Sequence, residues 1–149
     1  MEVEPSRILL IEDEPLNVEL FQLALENFNF VNQIDILDDG EQALQYLLGK
    51  EGQPPTHPLP DLVLLDLKLP KISGIQVLQA IRTHPRTHAL VVVALASSPD
   101  DRELNACYAL GVSQYVIKPL DFERFMIVLR QVGWYWMLLN KSPLLPPEI

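Results

Sequence analysis

The sequence predicts an α/β protein in which a five-stranded parallel sheet is covered by helices on both faces. Short runs of aliphatic residues, without polar alternation, are typical of strands buried on both faces. These runs alternate along the chain with helical patterns of apolar residues, as they do in βα units. Charged residues directly follow three of the runs, and parallel strands whose carboxyl ends meet at one edge would bring those residues together.

Length and charge restrict the classes of protein to which the chain can belong. With 149 residues, 48% of them hydrophobic, it suits one domain with one core. The net charge of -9 argues against nucleic acids and anionic membranes as partners, because both require clustered Lys and Arg, and it favours cations. The single Cys107 excludes an internal disulfide, and the N-terminus has no basic segment followed by an apolar one. We therefore expect a soluble, cytoplasmic protein.

The first βα unit begins with residues 8–11, an apolar run that ends in Glu12, Asp13 and Glu14. Pro15 is well placed to open a helix, which helical spacing extends through residue 27. Two adjoining apolar stripes are predicted on this helix, one formed by Leu16, Leu20, Leu23 and Ala24 and the other by Val18, Phe21, Leu25 and Phe28.

The second unit is more polar. Residues 34–37 predict a short strand at an edge of the sheet, and Asp38 with Glu41 could form the capping box of the following helix. Gly49 would end that helix. Residues 49–60 contain several prolines, which prevent regular structure, so they predict a long loop.

The third unit carries the residue around which the chain is organised. The aliphatic run at residues 62–65 predicts a buried strand that delivers Asp66 to its carboxyl end. From this segment alone, Asp66 could equally be a helix cap or a reactive carboxylate. The next helix contains Val77, Leu78 and Ile81 on its apolar face.

The fourth and fifth units complete the alternation. A strand is predicted at residues 90–95, and residues 96–99 then open a helix that ends before Gly111. The last strand, residues 115–117, leads into Lys118 and Pro119. Beyond it, a final helix begins after Asp121, its predicted cap, and continues to about residue 140.

The short and polar second strand favours the flavodoxin-like order 2-1-3-4-5, with right-handed crossovers between strands. In that order the first and third strands are neighbours. We expect a single domain over residues 1–149, with a core at about 7–133 and an extension at about 134–149.

Adjacent first and third strands would place the carboxylates of Glu12, Asp13 and Asp66 in one small pocket. Such a cluster repels itself unless a cation occupies it, and its hard oxygen ligands suit Mg²⁺. The last strand brings Lys118, an ammonium that can pair with phosphate oxygens. A carboxylate nucleophile, a metal ion and an ammonium are the groups that phosphoryl transfer to an aspartate requires.

With these residues the chain resembles the receiver domains of bacterial two-component response regulators, over almost all of residues 7–133. The matching features are the acidic pair Glu12 and Asp13, then Asp66 followed by Pro70 and Gly74, and finally Lys118 with Pro119. Each feature alone is weak, whereas the combination is specific.

The resemblance implies a role for each matched residue. Asp66 would accept phosphate from the phosphohistidine of a sensor histidine kinase. Asp13 and Asp66 would bind Mg²⁺, with Glu12 helping through water and the backbone carbonyl of Lys68 completing the metal site. Lys118 would bind the phosphoryl group, and the peptide bond before Pro119 would be cis, a form that costs little before proline.

The long loop and the long last helix further resemble the small regulators that are paired with cyanobacterial phytochromes. That resemblance implies a phytochrome as the partner kinase and a homodimer formed through the last helix. The sequence agrees, because the helix extension is apolar around its whole circumference, and one domain face cannot bury all of it. Its proposed contact residues are Trp134, Trp136 and Leu138.

One position departs from the family pattern. Receivers usually place a Ser or Thr hydroxyl at the end of the fourth strand, where it binds the phosphoryl group and couples it to a rotating aromatic residue, here Tyr115. Family spacing puts Ala96 at that position. Ser97 could substitute if the turn is shifted by one residue, and a helix-entry role for Ser97 is an equal alternative.

Three other functions remain as alternatives. An aspartate-nucleophile phosphatase of the haloacid dehalogenase type needs a second Asp two residues after the nucleophile, where this chain has Lys68. A flavin or nucleotide binder is disfavoured by only six glycines and no glycine-rich phosphate loop. A degenerate receiver that docks without phosphorylation gains weight from Ala96. We expect a phosphoacceptor and not an enzyme.

Overall fold

A computed structural model describes residues 6–26, 31–118, 123–124 and 127. Within them the chain forms five strands and four helices. The strands are β1 (Ser6–Ile11), β2 (Val31–Leu37), β3 (Leu62–Asp66), β4 (Val92–Ala96) and β5 (Gln114–Ile117). The helices are α1 (Pro15–Leu25), α2 (Gly40–Leu48), α3 (Gly74–Thr83) and α4 (Asp101–Ala109). Of the predicted fifth helix only residues 123, 124 and 127 are described.

All five strands are parallel and lie in the order β2-β1-β3-β4-β5, which confirms the predicted order. β1 lies between β2 and β3, and Ile11 pairs with Leu65. The residues that follow Ile11 therefore lie beside Asp66, the last residue of β3. β2 is the predicted edge strand, although with seven residues it is longer than the sequence indicated.

The core consists of two layers of side chains, one on each face of the sheet. Leu9 and Ile11 of β1 point to the layer that α2, α3 and α4 cover, and Ile8 and Leu10 point to the layer under α1. This alternation follows from the two-residue period of a strand. Every residue of β3 and β4 is buried, because these two strands are covered on both faces.

The prediction for α1 was partly wrong. Phe21, Ala24 and Leu25 are buried, but Leu16 is 73% exposed and Leu23 is 51% exposed. A helix that lies on a sheet buries a single stripe, so Leu16 and Leu23 of the first predicted stripe face outward, while Phe21 and Leu25 of the second face the sheet. The helix also ends at Leu25, earlier than predicted, and residues 27–30 lie outside the described residues.

Two predicted helix starts were also wrong. Asp39, not Asp38, caps α2, and its side chain accepts a hydrogen bond from the backbone N–H of Gln42 at 2.8 Å. α4 begins at Asp101 and is capped by Asp100, so residues 97–99 belong to the connection that precedes it. The fourth strand begins at Val92, two residues later than predicted, and ends at Ala96, one residue later than predicted.

The long loop after α2 is fixed to the domain by side chains. Gly49 ends α2 with φ of 85°, as predicted. The ring of His57 stacks on Tyr46 with centroids 4.3 Å apart, and the guanidinium of Arg86 donates to the carbonyls of His57 and Leu47. In the part of the chain that the structure describes, no helix has the length and apolarity to cross a membrane.

Candidate functional site

Three carboxylates meet where β1 and β3 end, as the sequence predicted. Oxygen atoms of Glu12, Asp13 and Asp66 all lie within 4.8 Å of one another. Glu12 and Asp66 are buried, each with 1% exposure, whereas Asp13 is exposed. We call these three carboxylates the acidic cup. Solvent reaches the acidic cup at Asp13, which suits a hard divalent cation that retains some of its waters.

Lys118 is the cation that the structure places in this cup. Its Nζ lies 2.9 Å from Oε1 of Glu12 and 3.3 Å from Oδ1 of Asp66. Its side chain is only 11% exposed. The backbone N–H of Lys118 donates to the carbonyl of Ala96 at 2.7 Å, which continues the pairing of β5 with β4 and fixes the ammonium at the carboxyl edge of the sheet.

Backbone N–H groups orient the two buried carboxylates. Oε2 of Glu12 accepts from the N–H of Asp13 at 3.1 Å and from that of Glu14 at 3.4 Å. Oδ1 of Asp66 accepts from the N–H of Lys68 at 3.1 Å. The carboxylate of Asp66 is therefore held by the loop that follows it as well as by Lys118.

The two buried carboxyl groups have opposite pKa shifts. Burial, and then the nearby carboxylate of Glu12, raise the pKa of Asp66 to about 7 despite the Lys68 N–H and the Lys118 ammonium. Burial opposes ionisation of Glu12 too, but hydrogen bonds with Asp66 and Lys118 outweigh it, so the pKa of Glu12 is lowered. Without a bound ion, the surroundings thus favour the ionised form of Glu12 and oppose that of Asp66.

The loop after Asp66 packs against the start of α3 without space for a side chain. A Cβ on Gly74 would lie 2.4 Å from the carbonyl oxygen of Asp66 and 2.4 Å from Cα of Leu67. The N–H of Gly74 also donates to the carbonyl of Leu67 at 3.0 Å. Glycine at this position therefore lets the helix start touch the backbone of the strand end.

The residues of the predicted switch, Ala96, Ser97 and Tyr115, have different surroundings. Ala96 is the buried last residue of β4, and Ser97 is exposed beyond it, where it lines a small cavity of about 80 Å³ together with Lys68. The hydroxyl of Tyr115 donates to Oε1 of Glu103 on α4 at 2.9 Å. Burial, and then this contact, raise the pKa of Tyr115 to about 12.

Glu103 was not identified from the sequence. It lies in α4, twelve residues before Tyr115, and nothing in the spacing of the two residues indicated a contact. The predicted cis proline, Pro119, and the predicted dimer contacts Trp134, Trp136 and Leu138 lie outside the described residues.

The chain is similar to known families and proteins. The pattern of the response regulator receiver domain matches residues 8–130. FilR2, a probable methanogenesis regulatory protein of Methanothrix harundinacea, is 40% identical over 140 residues, which cover 94% of this chain and 89% of FilR2. The response regulator Rcp1 of Synechocystis is 32% identical over 133 residues, which cover 89% of this chain and 90% of Rcp1.

Solved structures give the same result. The phosphorylated cyanobacterial phytochrome response regulator RcpA superposes with a TM-score of 0.78 at 31% identity, over 89% of this chain and 94% of RcpA. A Mn(2+)-bound form of Rcp1 superposes with a TM-score of 0.76 at 30% identity, over 97% of this chain and 100% of that structure. Both the fold and the sequence therefore point to one family.

The raised pKa of Asp66 predicts that cation binding releases a proton. A divalent cation that binds Asp66 would have to displace its proton at acidic pH, so the apparent affinity for Mg²⁺ should rise about tenfold per pH unit up to about pH 6 and level off above about pH 8. Calorimetric titration with MgCl₂ in two buffers of different ionisation enthalpy measures the released proton. Asp66→Asn should flatten the pH dependence of the affinity. Binding without proton release at about pH 6 would contradict either the raised pKa of Asp66 or its contact with the cation.

Proposed function

Because this chain belongs to the response regulator receiver family, and so is a phosphoacceptor of two-component signalling, we propose that Asp66 is the residue that accepts the phosphoryl group. One observation above all supports the choice. Asp66 is a buried carboxylate at the end of the central strand, 3.3 Å from the ammonium of Lys118 and within 4.8 Å of two further carboxylates. These are the neighbours that in-line phosphoryl transfer to an aspartate needs.

The acidic cup is proposed to hold Mg²⁺. Asp13, Asp66 and the backbone carbonyl of Lys68 would be its ligands, with Glu12 helping through water. The donor set supports this, since all the ligands are hard oxygens, and Rcp1 is known in a Mn(2+)-bound form. When bound, the ion neutralises negative charge on the transferring phosphoryl oxygens.

The reaction follows from the charges of the site. A carboxylate oxygen of ionised Asp66 attacks the phosphorus of a phosphohistidine. The P–N bond breaks, and its electron pair leaves with the imidazole. The product on Asp66 is an acyl phosphate. Lys118 favours the ionised form of Asp66 and can transfer one of its contacts to a phosphoryl oxygen. The N–H of Lys68 keeps the carboxylate oriented during the attack.

The proposed phosphodonor is a sensor histidine kinase of the phytochrome kind, and Asp66 phosphate would then signal through protein contacts in the cytoplasm. Similarity to Rcp1 and to RcpA supports this partner. Receiver domains are in general signalling modules and not enzymes. The phosphatase alternative is further weakened by Lys68, which occupies the position of the second aspartate.

Replacement of Asp66 by Asn should abolish phosphorylation, because an amide cannot form an acyl phosphate. The protein is incubated with MgCl₂ and acetyl phosphate, and an acid-stable, base-labile adduct is measured by intact mass. Asp101→Asn, at the exposed start of α4, is the matched control and should react like the native chain. Equal labelling of Asp66→Asn would show that the nucleophile is misassigned. A native chain that takes up no phosphate would favour the degenerate receiver.

Phosphorylation should move Tyr115 less than in receivers with a hydroxyl at the end of the fourth strand. The methyl of Ala96 cannot donate to a phosphoryl oxygen, and a charge-assisted hydrogen bond of this type is worth roughly 1.5–3 kcal/mol, comparable to a typical allosteric coupling energy. Ala96→Thr should therefore strengthen the response of the Tyr115 ring, followed by its NMR chemical shifts with and without a phosphoryl mimic.

Ala96→Val is the control for this experiment, since valine matches the shape of threonine without its hydroxyl. A full Tyr115 response in the native chain, or equal responses in the Thr and Val variants, would refute the role given to position 96.

We propose a single receiver domain over residues 1–149, which dimerises through its extension at about 134–149. Trp134, Trp136 and Leu138 lie outside the described residues, so the support for the dimer is the sequence. On the predicted helix, two Trp and the neighbouring Leu would form a larger apolar surface than a monomer usually exposes, and aromatic residues are enriched at the centres of interfaces.

Truncation after Gly133 should convert the dimer to a monomer, because it removes the apolar extension. Sedimentation velocity of the intact and truncated chains at about micromolar concentration measures the change. Circular dichroism of the truncated chain checks that its fold is retained. An intact chain that sediments as a monomer would remove the dimer from the proposal.

A further inference from the structure

The loop after Asp66 contains a strained turn. The N–H of Ile72 donates to the carbonyl of Pro70 at 2.8 Å, and Lys71 between them has φ of 69°. A hydrogen bond from residue i+2 to residue i around a positive φ defines a rare and strained form of γ-turn. Among the described residues, Lys71 is the only non-glycine residue with positive φ. Its Cβ makes this conformation unfavourable, so other contacts must maintain it.

The side chain of Lys71 makes one such contact. Its Nζ lies 3.4 Å from Oδ2 of Asp39 and 3.8 Å from Oε2 of Glu41. The Asp39 side chain is only 7% exposed and is itself fixed, since it also accepts hydrogen bonds from the backbone N–H and the side-chain amide of Gln42. Lys71, whose own side chain is 58% exposed, thus pairs with an anchored carboxylate, which limits the entropy that the pair loses on forming.

Backbone contacts reinforce the same junction. The N–H of Gly40, the first residue of α2, donates to the carbonyl of Pro70 at 3.4 Å. A Cβ on Gly40 would lie 2.3 Å from the carbonyl oxygen of Ile72. The start of α2 therefore lies directly against the γ-turn.

The other end of the loop is closed by Gly74, whose backbone touches Asp66 and Leu67. Between the two junctions lies Lys68, whose N–H holds the carboxylate of Asp66. If the turn at Lys71 relaxed, the peptide that follows it would rotate and the bond from Ile72 to Pro70 would break. That change would reach Lys68 through only two intervening residues.

We infer that Lys71 is a positioning residue for phosphoryl transfer: its ion pair with Asp39 holds the strained turn, and through it the Asp66–Lys68 segment, in the arrangement that receives the cation and the phosphoryl group. This inference rests on the proposed function of Asp66. It adds a contact between the site and the start of α2, through two residues that are not among the proposed ligands of the cation or of the phosphoryl group.

The test compares Lys71→Met with Lys71→Arg. Methionine retains the Cβ, and with it the strain of the positive φ, but has no ammonium. Because the Lys71 side chain is exposed, the Lys71→Met variant should keep its stability in urea unfolding. Its Mg²⁺ affinity and its rate of labelling by acetyl phosphate should each fall about tenfold, the lower end of the effect for residues that orient metal ligands. Arginine can pair with Asp39 and should restore both values. Lys50→Met, at the other end of α2, is the matched control and should change neither.

Asp39→Asn supplies a second, independent variant, because asparagine retains a side-chain oxygen for the cap of α2 but loses the charge. It should reduce Mg²⁺ affinity to the same extent as Lys71→Met, and the double variant should be no worse than either single variant. Additive losses would overturn the inference, as would native affinity and labelling rate in Lys71→Met. Loss of stability in parallel with affinity would also overturn it, since it would show a structural role alone.

The two proposals fail in different ways. If the native chain forms no adduct, the assignment of Asp66 as phosphoacceptor fails, while calorimetric Mg²⁺ affinity of the same variants still decides the role of Lys71. If the native chain is labelled and the Lys71 variants bind and react alike, only the positioning role is lost.

Discussion

The ammonium of Lys118 lies between two buried carboxylates, and the rest of the site depends on this arrangement. Burying Glu12 and Asp66 together costs free energy, and removing the partner of a buried charge typically costs roughly 3–5 kcal/mol. The neighbouring positions of β1 and β3 bring the carboxylates together, and β5 supplies the cation that offsets their repulsion. The acidic site therefore depends on the strand order that makes β1 and β3 neighbours.

Around this ion cluster the geometry is fixed by backbone contacts at two glycines. Gly74 lets α3 touch the strand end at Asp66, and Gly40 lets α2 touch the turn at Lys71. The loop that carries Lys68 is therefore held at both ends by the scaffold. Loops that are positioned by rigid elements are the usual location of reactive residues. Here one of those elements, the start of α2, also supplies the carboxylate that pairs with Lys71.

The chemistry of the site and the response to it depend on different residues. In the proposed function Asp66, Asp13 and Lys118 supply what phosphate uptake requires, and the side chain of residue 96 is not among these groups. Ala96 lacks the hydroxyl that would connect the phosphoryl group to Tyr115, whose own hydroxyl is bonded to Glu103. A chain with this arrangement can accept phosphate as its family does and yet transmit the change through other contacts.

The sequence by itself predicted five buried parallel strands, and it favoured the order in which Glu12, Asp13 and Asp66 meet close to Lys118. These features follow from local rules, since buried strands are continuous aliphatic runs and parallel strands end at one edge. Only the tertiary structure decided which of Asp38 and Asp39 caps α2, which stripe of α1 is buried, and that Tyr115 bonds Glu103 and Lys71 pairs with Asp39. Each of these depends on the rotation and distance between elements that pack against each other, and no local pattern specifies that geometry.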